Sequence, residues 1–225
     1  MQLTEYINAG FIFAERFGSP ESIPELKRRG FVIGNRPTLN DNLLFDEDNE
    51  DYLVVKTGVK KQIEFSTELS IIARIKVNNL ASDHTILATD AFGANAQFIF
   101  WVDVDGFDTG NVNTVSCLVS DGTNDAKIEG NSNLLDSNQW HVIAMTFEVS
   151  SATGLRLYVD GVEAGNSPQS TSAISALAAT TNDLYIGASP SLEAGKYFDG
   201  NFSHLLIIQR RLTEDEILDI HNDLA

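Results

Sequence analysis

A single cysteine, Cys117, stands in a chain of 225 residues, which excludes an intramolecular disulfide and any zinc site built from several cysteines. It falls in the apolar run 115–119 and reads as a buried, inert thiol. Basic residues are scarce. Fifteen Lys and Arg against 32 Asp and Glu leave a net charge of −17, a field that repels phosphate backbones and argues against a nucleic-acid partner. The short basic clusters at Lys27-Arg28-Arg29, Lys60-Lys61 and Arg210-Arg211 are scattered and read as local ion-pairing groups rather than a groove. No apolar run approaches the ~20 residues of a membrane-spanning helix, so no membrane insertion is expected. The opening MQLTEYINAGFIFAERF has no basic start, and Glu5, Asn8 and Glu15 interrupt its apolar positions, so it does not read as a secretory signal. The expectation is a protein made in a cytoplasm that reaches a virion or the extracellular space by lysis, assembly or a dedicated machine. Without disulfides, stability has to come from a hydrophobic core, with calcium as the remaining candidate metal staple.

What is present is a globular composition, 43% hydrophobic and 21% charged, in a pattern that changes near residue 40. Before that point apolar residues follow no two-residue alternation. Ser22 as N-cap, Pro24 just inside and Gly30 at the stop predict a short helix over 24–29, while 10–17 fits helix or strand. Residues 1–40 are too few for a domain of their own. They form an arm or anchor that has to pack on its own sandwich or on a neighbouring subunit, which leaves homo-oligomerisation open. Residues 41–225 read as short strands separated by turns. The expected strands cover 43–45, 52–56, 69–77, 84–89, 96–104, 114–119, 126–129, 141–148, 155–159, 184–187 and 200–209. Asp105-Gly106, Asp121-Gly122 and Asp160-Gly161 are hairpin dipeptides, with Gly161 supplying a positive φ. In 140–147 both alternating faces are largely apolar, which predicts a central strand covered on both sides and Trp140 in the core. Residues 167–181, rich in Ser, Thr and Ala, read as a long exposed loop. At the end, Thr213 and Glu216 form a capping box, Leu212 and Ile217 a staple, and Ile217, Ile220 and Leu224 an apolar stripe. A helix over 214–223 is expected to dock on the sandwich.

Several of these segments, in this order, resemble the laminin-G-like jelly-roll family of the concanavalin A-like lectin and glucanase superfamily. LLFDEDNEDYLVV is similar to the family's opening strand pair, and FSTELSIIARIKV to its first long strand. QWHVIAMTFEVSSATGLRLYVDGVEAG is the most telling match, and DLYIGAS with YFDGNFSHLLIIQRRLTEDEI is similar to the closing strands and terminal helix. The resemblance covers residues 42–225. It implies an all-β, two-sheet antiparallel jelly-roll sandwich, with the helix-containing N-terminal arm and the C-terminal helix appended. The architecture serves enzymes, lectins, adhesion modules and virion proteins, so function has to be argued from the site.

In the glucanase branch the resemblance implies alternating acids on one strand, E-x-D-x-E, which point into one cleft. The nearest pattern here, Asp103-Val104-Asp105, lacks flanking Glu and runs into Gly106, so no catalytic residues are expected. The four His (84, 141, 204 and 221) are accompanied by no G-x-S-x-G elbow. For a glycan, the candidates are Trp101, Asp103 and Asp105. In FIFWVDVD the Phe98, Phe100 and Val102 side is the better core face, which leaves Trp101 beside Asp103 on the outer face as a sugar platform. Phe92, Phe107 and Tyr197 are weaker aromatic candidates. For calcium, DVDGFDTGN offers Asp105, Asp108 and Asn111 next to Asp103, although Gly falls too early for an EF-hand and a plain hairpin explains the same residues. The acidic turn 46–51 is a second candidate. On the closing strand Ser203 and His204 stand where the family commonly carries acids, which puts an inherited calcium site in doubt.

The sequence thus points to a non-catalytic binding or adhesion module. The expectation is a virion-type decoration or attachment protein, with a glycan or cell-surface ligand and other virion proteins as partners. A stand-alone or secreted lectin is the alternative, and a glycoside hydrolase ranks last.

Overall fold

The computed structural model of the chain describes residues 11–16, 31–33, 38–39, 42–55, 66–89, 97–104, 110–179, 182–192 and 196–225. Its strands are β1 Phe11–Arg16, β2 Phe31–Ile33, β3 Thr38–Leu39, β4 Leu43–Phe45, β5 Leu53–Val55, β6 Glu68–Val77, β7 His84–Ala88 and β8 Phe98–Asp103. There follow β9 Thr114–Ser120, β10 Asp125–Glu129, β11 Trp140–Glu148, β12 Leu155–Val159, β13 Val162–Glu163, β14 Leu184–Ile186 and β15 Gly200–Ile208, then helix α1, Glu214–Leu224. They form two antiparallel sheets. Sheet I runs β13-β12-β11-β6-β15-β4-β3, with β1 also paired to β15, and sheet II runs β10-β9-β8-β7-β14-β5-β2. This is a jelly-roll sandwich.

One apolar core fills the space between the sheets. Alternate residues of each strand reach it: Ile71, Ala73 and Ile75 from β6, Phe98, Phe100 and Val102 from β8, Val115, Cys117 and Val119 from β9, and Ile143, Met145 and Phe147 from β11. Period-two alternation places these side chains on one face and sends their neighbours outward. In β7 the register slips between Thr85 and Leu87, so Ile86 and Leu87 both bury inward. The strand β11 lies between β12 and β6, as its doubly apolar sequence demands. Its second face, Val142 and Ala144, joins Ile72, Tyr158, Leu206 and Ile208 beneath α1. The helix docks through Ile217, Ile220 and Leu224, and its capping box at Thr213 and Glu216 is formed. Each fully buried Ile contributes ~1.5–3 kcal/mol of apolar burial. The β12–β13 hairpin turns on Asp160 and Gly161, both at positive φ (51° and 78°), as a two-residue primed turn requires.

Two features depart from the sequence reading, and a third settles into one of the placements it left open. Residues 167–179 are not an exposed loop: Thr171, Ile174 and Leu177 are each 1% exposed, and Ile174 and Leu177 enter the main core. The small residues around them let the segment lie close against the sandwich. Trp140 is not in the core. It is half-buried at the start of β11, on the outer face of sheet I, where Arg74 and Lys76 cover its ring. The first forty residues contribute β1, β2 and β3, which pair with β15, β5 and β4 and so extend both sheets. The expected helix over 24–29 lies outside the described residues.

Candidate functional site

The two outer faces of the sandwich differ. Helix α1 covers part of sheet I, whereas the outer face of sheet II carries the residues singled out from sequence. On β8, Ile99, Trp101 and Asp103 point outward, opposite Phe98, Phe100 and Val102 in the core. Trp101 packs with Ala88, Ile99 and Leu118, and the Lys127 Nζ stands 5.2 Å from its ring centroid. It is only 3% exposed, so it is a buried packing residue rather than the open sugar platform expected from the sequence.

Around Trp101 the strand registers assemble a polar cluster that no single sequence segment reveals. Across β8 and β9, Asp103 pairs with Thr114 and Trp101 with Ser116. Across β9 and β10, Ser116 pairs with Glu129 and Leu118 with Lys127. Thr85 of β7 faces Trp101 from the other side. All of the oxygen-bearing members are buried: Asp103, Thr114 and Ser116 at 0% exposure and Thr85 and Glu129 at 2%. The Thr114 and Ser116 hydroxyls and both Glu129 carboxylate oxygens have no hydrogen-bond partner. Lys127 is the neighbouring cation. Burial pulls its pKa down, while the charges of Glu129 and Asp103 push it up, and burial wins.

An unpaired buried polar group costs ~1–3 kcal/mol, so this cluster stores unmet hydrogen-bonding capacity on an outer face. Its chemistry suits a neutral, polyhydroxylated ligand, whose hydroxyls donate to carboxylates and exchange bonds with Ser and Thr. It does not suit retaining glycoside hydrolysis. Asp103 and Glu129 lie two strands apart and two residues out of register, so their Cα atoms are about 12 Å apart by standard strand spacings. A nucleophile and acid pair needs its carboxyl groups ~5 Å apart.

The other sequence candidates fall elsewhere. Asp105 and Asp108, proposed for glycan or calcium, lie outside the described residues, as do Phe92 and Phe107. Asn111 is occupied structurally: its amide donates to the Gly130 carbonyl at 3.0 Å and its Oδ1 accepts from Ser132 at 3.1 Å. The acidic turn 46–51 closes on itself, Asp46 accepting from the Asp48 N–H and the Asn49 amide, and Asp51 accepting from the Asp46 N–H. Burial raises the Asp51 pKa. On the closing strand, Asp199 accepts from the side chains of Asn78, at 2.8 Å, and Asn79. Among the described residues no group of three or more His, Cys, Asp or Glu is arranged to hold a metal ion. Tyr197 is buried with its hydroxyl donating to the Leu192 carbonyl. His141 has no nitrogen left for base chemistry: Nδ1 is 2.8 Å from the Asp160 carboxylate and Nε2 accepts the Asp136 N–H at 3.2 Å. Burial works against the Asp160 charge, but the hydrogen bonds from His141 and the Val142 N–H outweigh it and lower its pKa.

Sequence reasoning singled out Trp101 and Asp103 on the outer face but did not place Thr114, Ser116, Lys127 and Glu129 beside them. A signal was present in TVSCLVS, where Thr114 and Ser116 alternate with Val115, Cys117 and Val119 and so mark a polar outer face.

Comparison with known proteins agrees with this architecture. No curated protein matches the chain by sequence. Among solved structures, the receptor binding domain of botulinum neurotoxin D superposes with a TM-score of 0.66 at 10% identity, over 97% of this chain and 54% of that one. The Ruminococcus gnavus IT-sialidase CBM40, bound to α2,3 sialyllactose, gives a TM-score of 0.57 at 11% identity over 94% and 100%. The native heptameric SAP-like pentraxin of Limulus polyphemus gives 0.53 at 17% identity over 86% and 82%. At such identities the likeness is one of fold. A family model of laminin-G type spans residues 47–218, most of the sandwich, and by that match the chain belongs to the concanavalin A-like lectin/glucanases superfamily.

Proposed function

We propose that the protein is a non-catalytic glycan-binding module whose ligand engages the outer face of sheet II around Trp101, Asp103, Ser116 and Glu129. The observation that carries this reading is the set of buried, unpartnered oxygens of Thr114, Ser116 and Glu129 beside an aromatic ring. Sugar hydroxyls meet that demand, and the ring supplies an apolar surface for a sugar face once the site opens. Fold relatives that bind a sialylated sugar or a receptor make a saccharide the natural ligand class for this scaffold. Attachment on a virion or similar particle is the narrower form of the proposal.

The test is a glycan array on the purified chain and on Glu129→Gln, each with calcium and with chelator. The expected result is saturable binding to one sugar class, weakened at least tenfold in Glu129→Gln with the fold retained. Equal binding in the variant, or a blank array with well-folded protein, would overturn the reading. Loss of binding in chelator would add calcium as a cofactor and direct attention to Asp105 and Asp108.

A further inference from the structure

The outer face of sheet I carries a second cluster, on strands distant from the one above. Arg74 and Lys76 stand two residues apart on β6 and so share one face. The β11 register sets Trp140 opposite Lys76, and the β15 register sets Asn201 opposite Lys76 and His204 opposite Arg74. All five side chains are half-buried. The Arg74 guanidinium lies 4.6 Å from the Trp140 ring centroid and the Lys76 Nζ 5.6 Å from it, so one indole holds both cations in place. A register shift between Phe202 and His204 displaces Ser203, whose hydroxyl meets Arg74 Nη1 at 3.4 Å and His204 Nδ1 at 3.0 Å.

Among the described residues, what distinguishes this pair is the lack of an acid partner. Arg156 pairs with Glu163, Arg210 with Glu216, Arg211 with Glu148 and Lys196 with Asp83. Among the described residues no carboxylate pairs with Arg74 or Lys76, in a chain with more than two acids for every base. The Arg74 Nε is buried without a partner. Burial lowers the Arg74 pKa. Two neighbouring cations on one face of a sheet, with no carboxylate partner among the described residues, form a locally positive pair. A guanidinium fork next to an ammonium matches an oxyanion, and Asn201 beside them offers hydrogen bonds to hydroxyl groups.

We propose that Arg74, Lys76 and Trp140 form a binding site for an acidic saccharide, one whose carboxylate or sulfate bridges the two cations. The site is separate from the sheet II cluster and does not depend on it. Titration calorimetry with the intact chain tests it, using a glucuronate-bearing hyaluronan tetrasaccharide, a sulfated galactan oligosaccharide and their neutral counterparts. The expected result is binding of at least one acidic probe and weaker or no binding of its neutral partner. The bound probe identifies carboxylate or sulfate as the anion. Lys76→Gln should weaken that binding at least fivefold and Arg74→Gln at least tenfold, while Glu129→Gln leaves it unchanged. Should Arg74→Gln fail to fold, Lys76→Gln decides the matter, since its side chain is half-exposed on a strand it does not hold together. The proposal is overturned if neither acidic probe binds, if neutral and acidic probes bind alike, or if Lys76→Gln binds as the parent does. Loss through Glu129→Gln alone would place the ligand on sheet II.

Discussion

Thr114→Val is the sharpest probe of the polar cluster, because the reasoning demands that it stabilise the protein. Thr114 opens β9 opposite Asp103, is fully buried, and its Oγ1 has no partner. Replacing the hydroxyl by a methyl removes the desolvation cost of an unpaired buried group, ~1–3 kcal/mol. Part of that gain is offset by crowding. Gly130 lies so close that a Cβ built on it would sit 2.2 Å from the Thr114 Oγ1, and a methyl is bulkier than a hydroxyl. Allowing about 1 kcal/mol for the tighter fit leaves a net stabilisation of ~0–2 kcal/mol. At ~2–4 °C per kcal/mol for a domain of this size, Tm should rise by up to ~8 °C. Calorimetry at neutral pH, backed by urea unfolding with an unchanged m-value, reads it out. The same variant should bind the array ligand more weakly, since the stored capacity belongs to the ligand. A Tm lower by more than ~2 °C would refute the reasoning, since only a hydroxyl with a partner in the folded protein loses that much on replacement.

Deleting residues 1–40 removes β1, β2 and β3 and bares the β15 edge from His204 to Ile208. Tm should fall and amide exchange in that stretch should accelerate; an unchanged melt would instead favour an independent anchor. Hydrogen bonds from Arg210 hold the Glu216 carboxyl below its ordinary pKa, helped by the Thr213 N–H and opposed by burial. Its stabilisation is therefore present above the unfolded pKa of ~4.3 and lost as pH falls through the lower folded value. Glu216→Gln should cost ~0.5–1 kcal/mol at pH 7, with the gap to the parent closing below pH ~4 in denaturant titrations. Burial raises the Cys117 thiol pKa to about 12, so iodoacetamide at pH 8 should label it only after unfolding. Labelling of the native protein at the rate of a free thiol would contradict its place in the core.

Local physics determined much of this protein in the sequence alone. Alternation in 140–148 and 155–159, the primed turn at Asp160-Gly161 and the capping box at Thr213 each depend on a few neighbouring residues, and each forms where the sequence placed it. The outward direction of Trp101 and Asp103 was likewise legible, because one face of β8 is wholly apolar. Tertiary structure decided the rest. The fate of Trp140 depended on the two cations that β6 brings against its ring, Lys76 opposite and Arg74 two residues along, and not on its own apolar strand. The burial of Ile174 and Leu177 in a segment that looks like a loop depended on the gap that the sandwich leaves for them. Both clusters draw on residues far apart in sequence, Trp101 with Ser116 and Glu129, and Arg74 with Trp140 and His204, which only strand register brings together. Register is set jointly by the core and by neighbouring strands, so a chain read one segment at a time shows which way each side chain points but not what it meets.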